Sequence, residues 1–334
     1  MNARIASAPV RAGSRIVSTG SYRPARVVDN AEICTWIESS DAWIRERSGI
    51  IERRWAAPDE SVSDMGLAAA GKALAASGLA ATDISMVLVA TVSHPYQTPS
   101  AAAEIADRIG ARQAAALDVA AACAGFCYAL GLADNLIRSG QSEHVLVIGV
   151  EKLSDFVRKG DRGSSFIFAD GAGAVVVSPS DHAGIGPTVW GADGAQKDAI
   201  TMTQSWTEFR DDPTQGFPAL VMQGQQVFRW AVGEMAKVSL EALAAAGVTV
   251  DDLAAFVPHQ ANNRITDVIV RQLALPDHVV VARDIITSGN TSAASVPLAL
   301  DRMLESGEVE HGGLALLVGF GAGLAYAAQV VEIP

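Results

Sequence analysis

The stretch Leu117–Phe126, LDVAAACAGF, decides how the chain is read. Ala115 to Val119 is short, apolar and ends in a β-branched residue, the pattern of a buried central strand. Past Cys123 and Gly125, a run that is apolar on nearly every face extends to Ser139-Gly140. It predicts a buried helix closed by Gly140 at the C′ position. Cys123 therefore stands where a strand turns into a helix start. The unpaired amides and dipole of such a terminus favour negative charge, which would lower the thiol toward thiolate, the nucleophilic form. The competing account is a small buried hydrophobe, which describes most free cysteines.

Working outward, Ile84–Thr91 and His144–Val150 are near-continuous apolar strands, as in a sheet covered by helices on both faces. Phe166–Phe168 and Ala174–Val177 are expected to continue that sheet around a turn at Asp170-Gly171-Ala172-Gly173. The same order then returns. A helix runs from about Gly224 to Gly247, and a strand at Leu253–Val257 ends at Pro258-His259. Gly289-Asn290-Thr291-Ser292-Ala293 leads into a helix through Leu304, and Leu314–Gly319 is a further buried strand. Cys123 precedes the strand at Val145 by 22 residues and Asn290 precedes Leu314 by 24. This spacing predicts an α/β chain with an internal duplication. Residues 1–180 carry Cys123, residues 181–334 carry His259 and Asn290, and each half places one polar group at a matching helix start.

Composition narrows the function. The 25 basic against 37 acidic residues give a net charge of −12, which argues against nucleic acid as a bulk partner. Three cysteines, Cys34, Cys123 and Cys127, make no disulfide framework and suit a reducing compartment. Met1–Gly20 has no continuous apolar segment, and no apolar run is long enough to span a bilayer. The expectation is a soluble cytoplasmic chain with no membrane partner.

Three signals stand together: Cys123, His259 within PHQAN, and Asn290 within GNTSAAS. A thiol, an imidazole and a carboxamide suit thioester chemistry, in which a thiolate attacks and donors hold a developing oxyanion. Singly, His259 is explained by a hydrogen-bonded buried histidine and Asn290 by a helix cap. Gly319-Phe320-Gly321-Ala322-Gly323 lacks the glycine spacing of a dinucleotide fingerprint, and better suits close backbone approach to a reacting group, with an amide near Ala322 as donor. Trp43 and Arg47 lie four apart on one short helix, where they could clasp a nucleotide base or be an interface tryptophan beside a surface arginine. Cys123 and Cys127 lack the further ligands of a zinc site, so no metal is expected.

DVAAACAGF, PHQAN, GNTSAAS and GFGAG, in this order and spacing, resemble β-ketoacyl-acyl carrier protein synthase III, the initiating condensing enzyme of bacterial fatty acid synthesis. The resemblance covers essentially the whole chain and points to actinobacterial members. It implies a thiolase-like five-layered αβαβα fold, a homodimer, and no cofactor beyond the coenzyme A thioester used as substrate. It also implies a triad of Cys123, His259 and Asn290, with an oxyanion hole from the amides of Cys123 and Ala322. Trp43 and Arg162 would clasp the coenzyme A adenine, with Arg47 near the phosphates and Asn262 on the pantetheine side. The partners would be acyl-coenzyme A and malonyl-acyl carrier protein, used in turn by a ping-pong mechanism through an acyl-Cys123 thioester.

Neighbouring activities are set against this. A biosynthetic thiolase would carry a second cysteine where Asn290 stands. A hydroxymethylglutaryl-coenzyme A synthase would need a glutamate base near the nucleophile, and no motif supplies one. A relative that primes a polyketide, or passes the acyl group to another acceptor, could share the whole triad. The resemblance places Thr98, in the His94–Ser100 loop, at an acyl pocket across the dimer, with the starter group left open. It places Arg229, Arg264 and Arg271 on a carrier-docking surface; the last two are seven apart and share a helix face.

Overall fold

A computed structural model describes residues 8–334. The first of two five-stranded sheets contains Gly13–Tyr22 (β1), Ile84–Ala90 (β2), Ala115–Val119 (β3), His144–Lys152 (β4) and Asp170–Ser180 (β5), in the spatial order β1-β5-β4-β2-β3. The second contains Val189–Ala192 (β6), Leu253–Pro258 (β7), Val280–Val281 (β8), Leu314–Gly321 (β9) and Ala325–Glu332 (β10), in the order β6-β10-β9-β7-β8. Counted within its own half, each sheet runs first, fifth, fourth, second, third. In each, the first–fifth and fifth–fourth pairs are antiparallel, and the fourth–second and second–third pairs are parallel. Identical order and polarity is the internal duplication expected from the spacing.

Period-2 alternation then stacks the layers. Leu88 and Val147 of the first sheet, and Val257 and Leu317 of the second, point inward. Between them lie the Gly125–Arg138 and Ser295–Glu305 helices, through Phe126, Leu130, Val296 and Leu300. A helix between two sheets has no solvent face, which is why the run after Cys123 is apolar all round. Val87 and Ile148 point outward, onto Met65 and Ile105 of the Val62–Ser77 and Ala101–Ile109 helices. On the far side, Phe256 and Val318 meet Met235 and Ile269 of the Gly224–Ala246 and Asn263–Leu273 helices. The result is the five-layered αβαβα arrangement. No described helix is long and apolar enough to cross a membrane.

Two expectations fail. Asp170-Gly171-Ala172-Gly173 is not a turn but the first part of the continuous strand β5, and Phe166–Phe168 is no strand, its one ladder contact being the Phe168–Asn290 bridge. The glycines serve close packing instead. A Cβ on Gly173 would lie 2.8 Å from both the Leu298 nitrogen and Pro297 Cβ, so the Ser295–Glu305 helix sits directly on the strand. Nor is β3 a central buried strand. It is the sheet edge, paired only with β2, and Leu117 is 40% exposed. Its apolar sequence therefore has one side uncovered in the single chain.

Gly173→Ala should lower stability by about 1–3 kcal/mol, because backbone and a proline ring must move to admit the methyl. Gly71→Ala, in a helix where a Cβ meets nothing within 4 Å, should be neutral or stabilising. Urea midpoints of the two variants test the contrast; equal shifts would mean the strand–helix approach is not tight.

Candidate active site

A cavity of about 1000 Å³ gathers Cys123, His259, Asn290, Ser292, Gly321 and Ala322. Cys123 lies in the short turn Ala122–Ala124 that feeds the Gly125–Arg138 helix. The second half has the same device, Ser292–Ala294 feeding Ser295–Glu305. Both turns open on a non-glycine residue with positive φ, 44° at Ala122 and 49° at Ser292. Such strain persists only where the surroundings enforce it. The matched turns place Ala293, not Asn290, opposite Cys123 in the duplication. Asn290 instead lies two residues ahead of its turn, in extended backbone bridged to Phe168.

The amides of Cys123 and Ala322 and the Ser292 hydroxyl lie around the Cys123 sulfur, each placed to favour negative charge there. Gly321 makes this approach possible, since a Cβ there would lie 2.9 Å from Sγ and 2.7 Å from Cys123 Cβ. The close approach expected of the GFGAG stretch is thus present. The expected thiolate is not. Burial pushes the Cys123 thiol up to about 12, with Glu151 adding to the rise, and the polar groups of Ser292, Cys123 and Ala322 beside it only partly offset it. The residue keeps some exposure toward the cavity, but protein packs closely around its sulfur. Desolvation outweighs the helix start.

His259 follows strand β7, its amide bonded to the Val318 carbonyl at 2.6 Å. Its ring is buried, Nδ1 lies 2.7 Å from Ser295 Oγ, and Phe320 meets it edge-on at 5.3 Å. Burial lowers its pKa to about 3, so the imidazole is neutral at physiological pH. Asn290 is buried, and its Oδ1 accepts from the Ser292 amide at 2.8 Å, which leaves Nδ2 as the free end of the carboxamide.

Arg162 lies over the Trp43 ring at 4.6 Å and Arg47 at 5.8 Å, while Phe166 braces the ring edge-on at 5.2 Å. Phe166 is held in turn by the fully buried Arg53, which donates to its carbonyl, to Val28 O and to Asn30 Oδ1. Asn262 lines the cavity, but its side chain caps the Asn263–Leu273 helix and donates to the Arg47 carbonyl at 2.8 Å. Arg47, Arg162, Arg229 and Arg264 all line the cavity, which has no acidic lining residue, and none of the four has an ion-pair partner among the described residues. On a chain of net charge −12 this is a local cationic mouth. Arg264 also lies over Phe228 at 5.5 Å. Arg271 is exposed on the same helix but outside the cavity, and Thr98 is exposed and does not line it, although Val92 of the same loop does.

One expectation is overturned by proximity. A glutamate does stand near Cys123: Glu151, on strand β4, is fully buried and lies close enough to raise the thiol. Its carboxyl accepts from Thr91, the Val92 amide, Ser93 and Ser292. Burial lifts its pKa to about 7 against those hydrogen bonds. Ser292 was visible within GNTSAAS, whereas the VEK of a strand end carries no such signal.

The family model described as 3-oxoacyl-[acyl-carrier-protein (ACP)] synthase III matches residues 117–194, and its C-terminal counterpart matches residues 243–333. The chain is 54% identical over 321 residues to the β-ketoacyl-[acyl-carrier-protein] synthase III of Streptomyces glaucescens, across 96% of each chain. It superposes on the crystal structure of a priming β-ketosynthase from a polyketide biosynthetic pathway with TM-score 0.97, at 50% identity, covering 100% of this chain and 99% of that one. It superposes on 3-oxoacyl-[acyl-carrier-protein] synthase III of Aquifex aeolicus with TM-score 0.88, at 36% identity, covering 96% and 100%.

His259 and Glu151 pull stability in opposite directions with pH. His259, with its folded pKa near 3 below the unfolded 6.5, contributes stability that is present above 6.5 and lost as pH falls toward 3. Glu151, with its folded pKa near 7 above the unfolded 4.5, contributes stability that is full below 4.5 and lost as pH rises through 7. Between 4.5 and 6.5 the two oppose each other. Glu151→Gln removes one side, so acidification from pH 6.5 to 4.5 should cost the variant about 1–3 kcal/mol more than the wild type. Urea unfolding at the two pH values measures this, and an equal loss would show that the carboxyl is not held protonated.

Proposed function

Since the chain belongs to the 3-oxoacyl-[acyl-carrier-protein] synthase III family of condensing acyltransferases, we propose that it joins an acyl-coenzyme A starter to malonyl-acyl carrier protein through a thioester on Cys123. The products are a 3-oxoacyl-acyl carrier protein, carbon dioxide and coenzyme A, and the reaction begins fatty acid synthesis. The observation that carries this reading is the convergence of two backbone amides, those of Cys123 and Ala322, on the Cys123 sulfur in the cavity that His259 and Asn290 also line.

In the first half-reaction Cys123 attacks the thioester carbonyl, and the two amides receive the oxyanion that develops there. Coenzyme A lies along the cationic mouth, its adenine between Trp43 and Arg162, its phosphates toward Arg47 and its pantetheine past Asn262. In the second, malonyl-acyl carrier protein enters the same cavity and loses carbon dioxide. The enolate oxygen is held by Asn290 Nδ2 and His259 Nε2. The ring proton falls on Nε2 when Ser295, which already accepts from the Gln260 amide at 3.3 Å, donates to Nδ1. A neutral His259 donates without adding a cation that would hold the malonyl carboxylate back. The enolate carbon then attacks the acyl-Cys123 carbonyl, and the thiol is regenerated.

Two copies of the chain pair through the exposed edge strand β3, and the loop carrying Thr98 reaches the partner's acyl pocket. This assignment gives both the uncovered Leu117 and the exposed loop a role. Arg229, Arg264 and Arg271 receive the acidic carrier protein. The enzyme works in the cytoplasm with no nucleic acid or membrane partner and no cofactor of its own. A second reading, priming of a polyketide, is favoured by the likeness to the priming β-ketosynthase; exchanging the acceptor carrier protein separates the two.

Incubation with radiolabelled acyl-coenzyme A should label the Cys123 peptide alone, and label on Cys34 or Cys127 would end the nucleophile assignment. His259→Ala and Asn290→Ala should keep self-acylation but lose malonyl decarboxylation by about a hundredfold or more. Normal decarboxylation in either variant would remove that residue from the enolate site. Reversal of Arg264 and Arg271 to Glu should raise KM for malonyl-acyl carrier protein, shrink in effect as salt rises, and spare self-acylation. Equal damage to both half-reactions would place these arginines elsewhere in the mechanism.

A further inference from the structure

Glu151 has no task in the chemistry above, yet its surroundings are specific. One carboxyl oxygen accepts from Thr91 Oγ1 at 3.2 Å, the Val92 amide at 3.1 Å and Ser93 Oγ at 2.5 Å. The other accepts from Ser292 Oγ at 3.1 Å. No cation pairs with it among the described residues. The neighbouring Lys152 points away and donates to the carbonyls of Ala57, Pro58 and Glu60. Ser292 belongs to the other half of the molecule, held in its positive-φ turn with its amide on Asn290 Oδ1. The same hydroxyl reaches the Cys123 sulfur. A serine hydroxyl has one proton. With that proton on Glu151, the side of Ser292 Oγ facing Cys123 is a lone pair, ready to accept S–H.

We propose that Ser292 and Glu151 form a proton relay that takes the thiol proton of Cys123 during self-acylation. The proposal rests on the acyl-Cys123 reading above. As Sγ bonds to the carbonyl carbon of the acyl thioester, its proton passes to Ser292 Oγ and the Ser292 proton passes to Glu151 Oε1. The carbon–sulfur bond to coenzyme A then breaks. The departing thiolate recovers a proton by the same path, leaving Glu151 ionised and Ser292 neutral, so no other acid or base is consumed. Ser292 touches the reacting atom, and Glu151 acts through it.

Three observations favour this route. Burial and the nearby Glu151 both disfavour a thiolate beside an ionised carboxylate; moving the proton between them keeps one negative charge on the pair throughout. His259 is the weaker base, lowered to about 3 while Glu151 is raised to about 7. The remaining groups facing Glu151 are neutral: the hydroxyls of Thr91, Ser93 and Ser292, the Val92 amide, and Gly171 across the strand pair. Cys123 is the titratable group it faces.

The test is the rate of Cys123 labelling by radiolabelled acyl-coenzyme A, followed from about pH 5.5 to 9 around the Glu151 midpoint, in wild type, Glu151→Gln and Ser292→Ala. Wild-type labelling should rise with a midpoint near 7, as the carboxyl ionises. Both variants should label about a hundredfold more slowly at neutral pH and lose that midpoint, since glutamine keeps the Ser292 hydrogen bond but cannot take the proton. A role confined to packing would lower stability and leave the pH profile in place. If Glu151→Gln does not fold, Ser292→Ala decides, because it cuts the link and leaves the carboxyl buried where it is. Wild-type rates and midpoint in a folded variant would overturn the relay alone. Absence of label on Cys123 in the wild type would overturn the acyl-Cys123 reading with it.

Discussion

The site depends on how closely backbone can approach one sulfur atom. The amide of Ala322 comes close to Sγ only because Gly321 has no Cβ to hold strand β9 away. The same economy recurs one layer out, where Gly149 leaves room for the Ala293 carbonyl and Gly173 for the Ser295–Glu305 helix. These contacts join the two duplicated halves, so the packing that forms the central layer also sets how near the Ala322 backbone lies to the Cys123 sulfur. Side chains as large as a methyl at these positions would separate the halves before they altered any catalytic group.

Burial then governs the charge states inside, and it does so with one sign. It raises the thiol of Cys123, raises the carboxyl of Glu151 and lowers the imidazole of His259, so every group near the sulfur is driven toward its neutral form. The charges that remain lie at the mouth, on arginines with no ion-pair partner among the described residues. A neutral interior behind a cationic entrance separates two tasks. Unpaired positive charge at the entrance favours the approach of anions through long-range fields. The interior keeps its hydrogen-bond donors unspent until charge develops on the reacting atoms.

The order of strands and helices was legible because each half alternates uniformly apolar strands with periodic helices, and the pattern returns at similar spacing. The gathering of Cys123, His259 and Asn290 was legible in part: Cys123 and His259 each follow a strand of their sheet, while Asn290 stands two residues ahead of the turn that feeds its helix. What escaped has physical causes. The thiol's proton affinity is decided by desolvation, which a helix-start argument does not contain. Glycines at 171 and 173 look alike in a turn and under a packed helix. An edge strand that is apolar but for Asp118 reads as a central one, and its pairing with β2 alone among the described strands distinguishes them. Glu151 sits in VEK, a strand end like many others, and acquires significance only through Ser292, 141 residues away.

The duplication also has a consequence in time. A ribosome completes Cys123 and its helix long before Leu314–Gly321, yet that helix buries one face on the first sheet and the other on the second. Until the later strands are made, the nascent first half exposes an apolar helix face that only distant sequence can cover, which invites aggregation or chaperone capture. The Cys123 sulfur meanwhile lacks two of its neighbours, the amide of Ala322 and the hydroxyl of Ser292. An incomplete chain thus carries Cys123 without the groups that surround it, and synthesis can be interrupted without releasing a half-built catalyst into the cell.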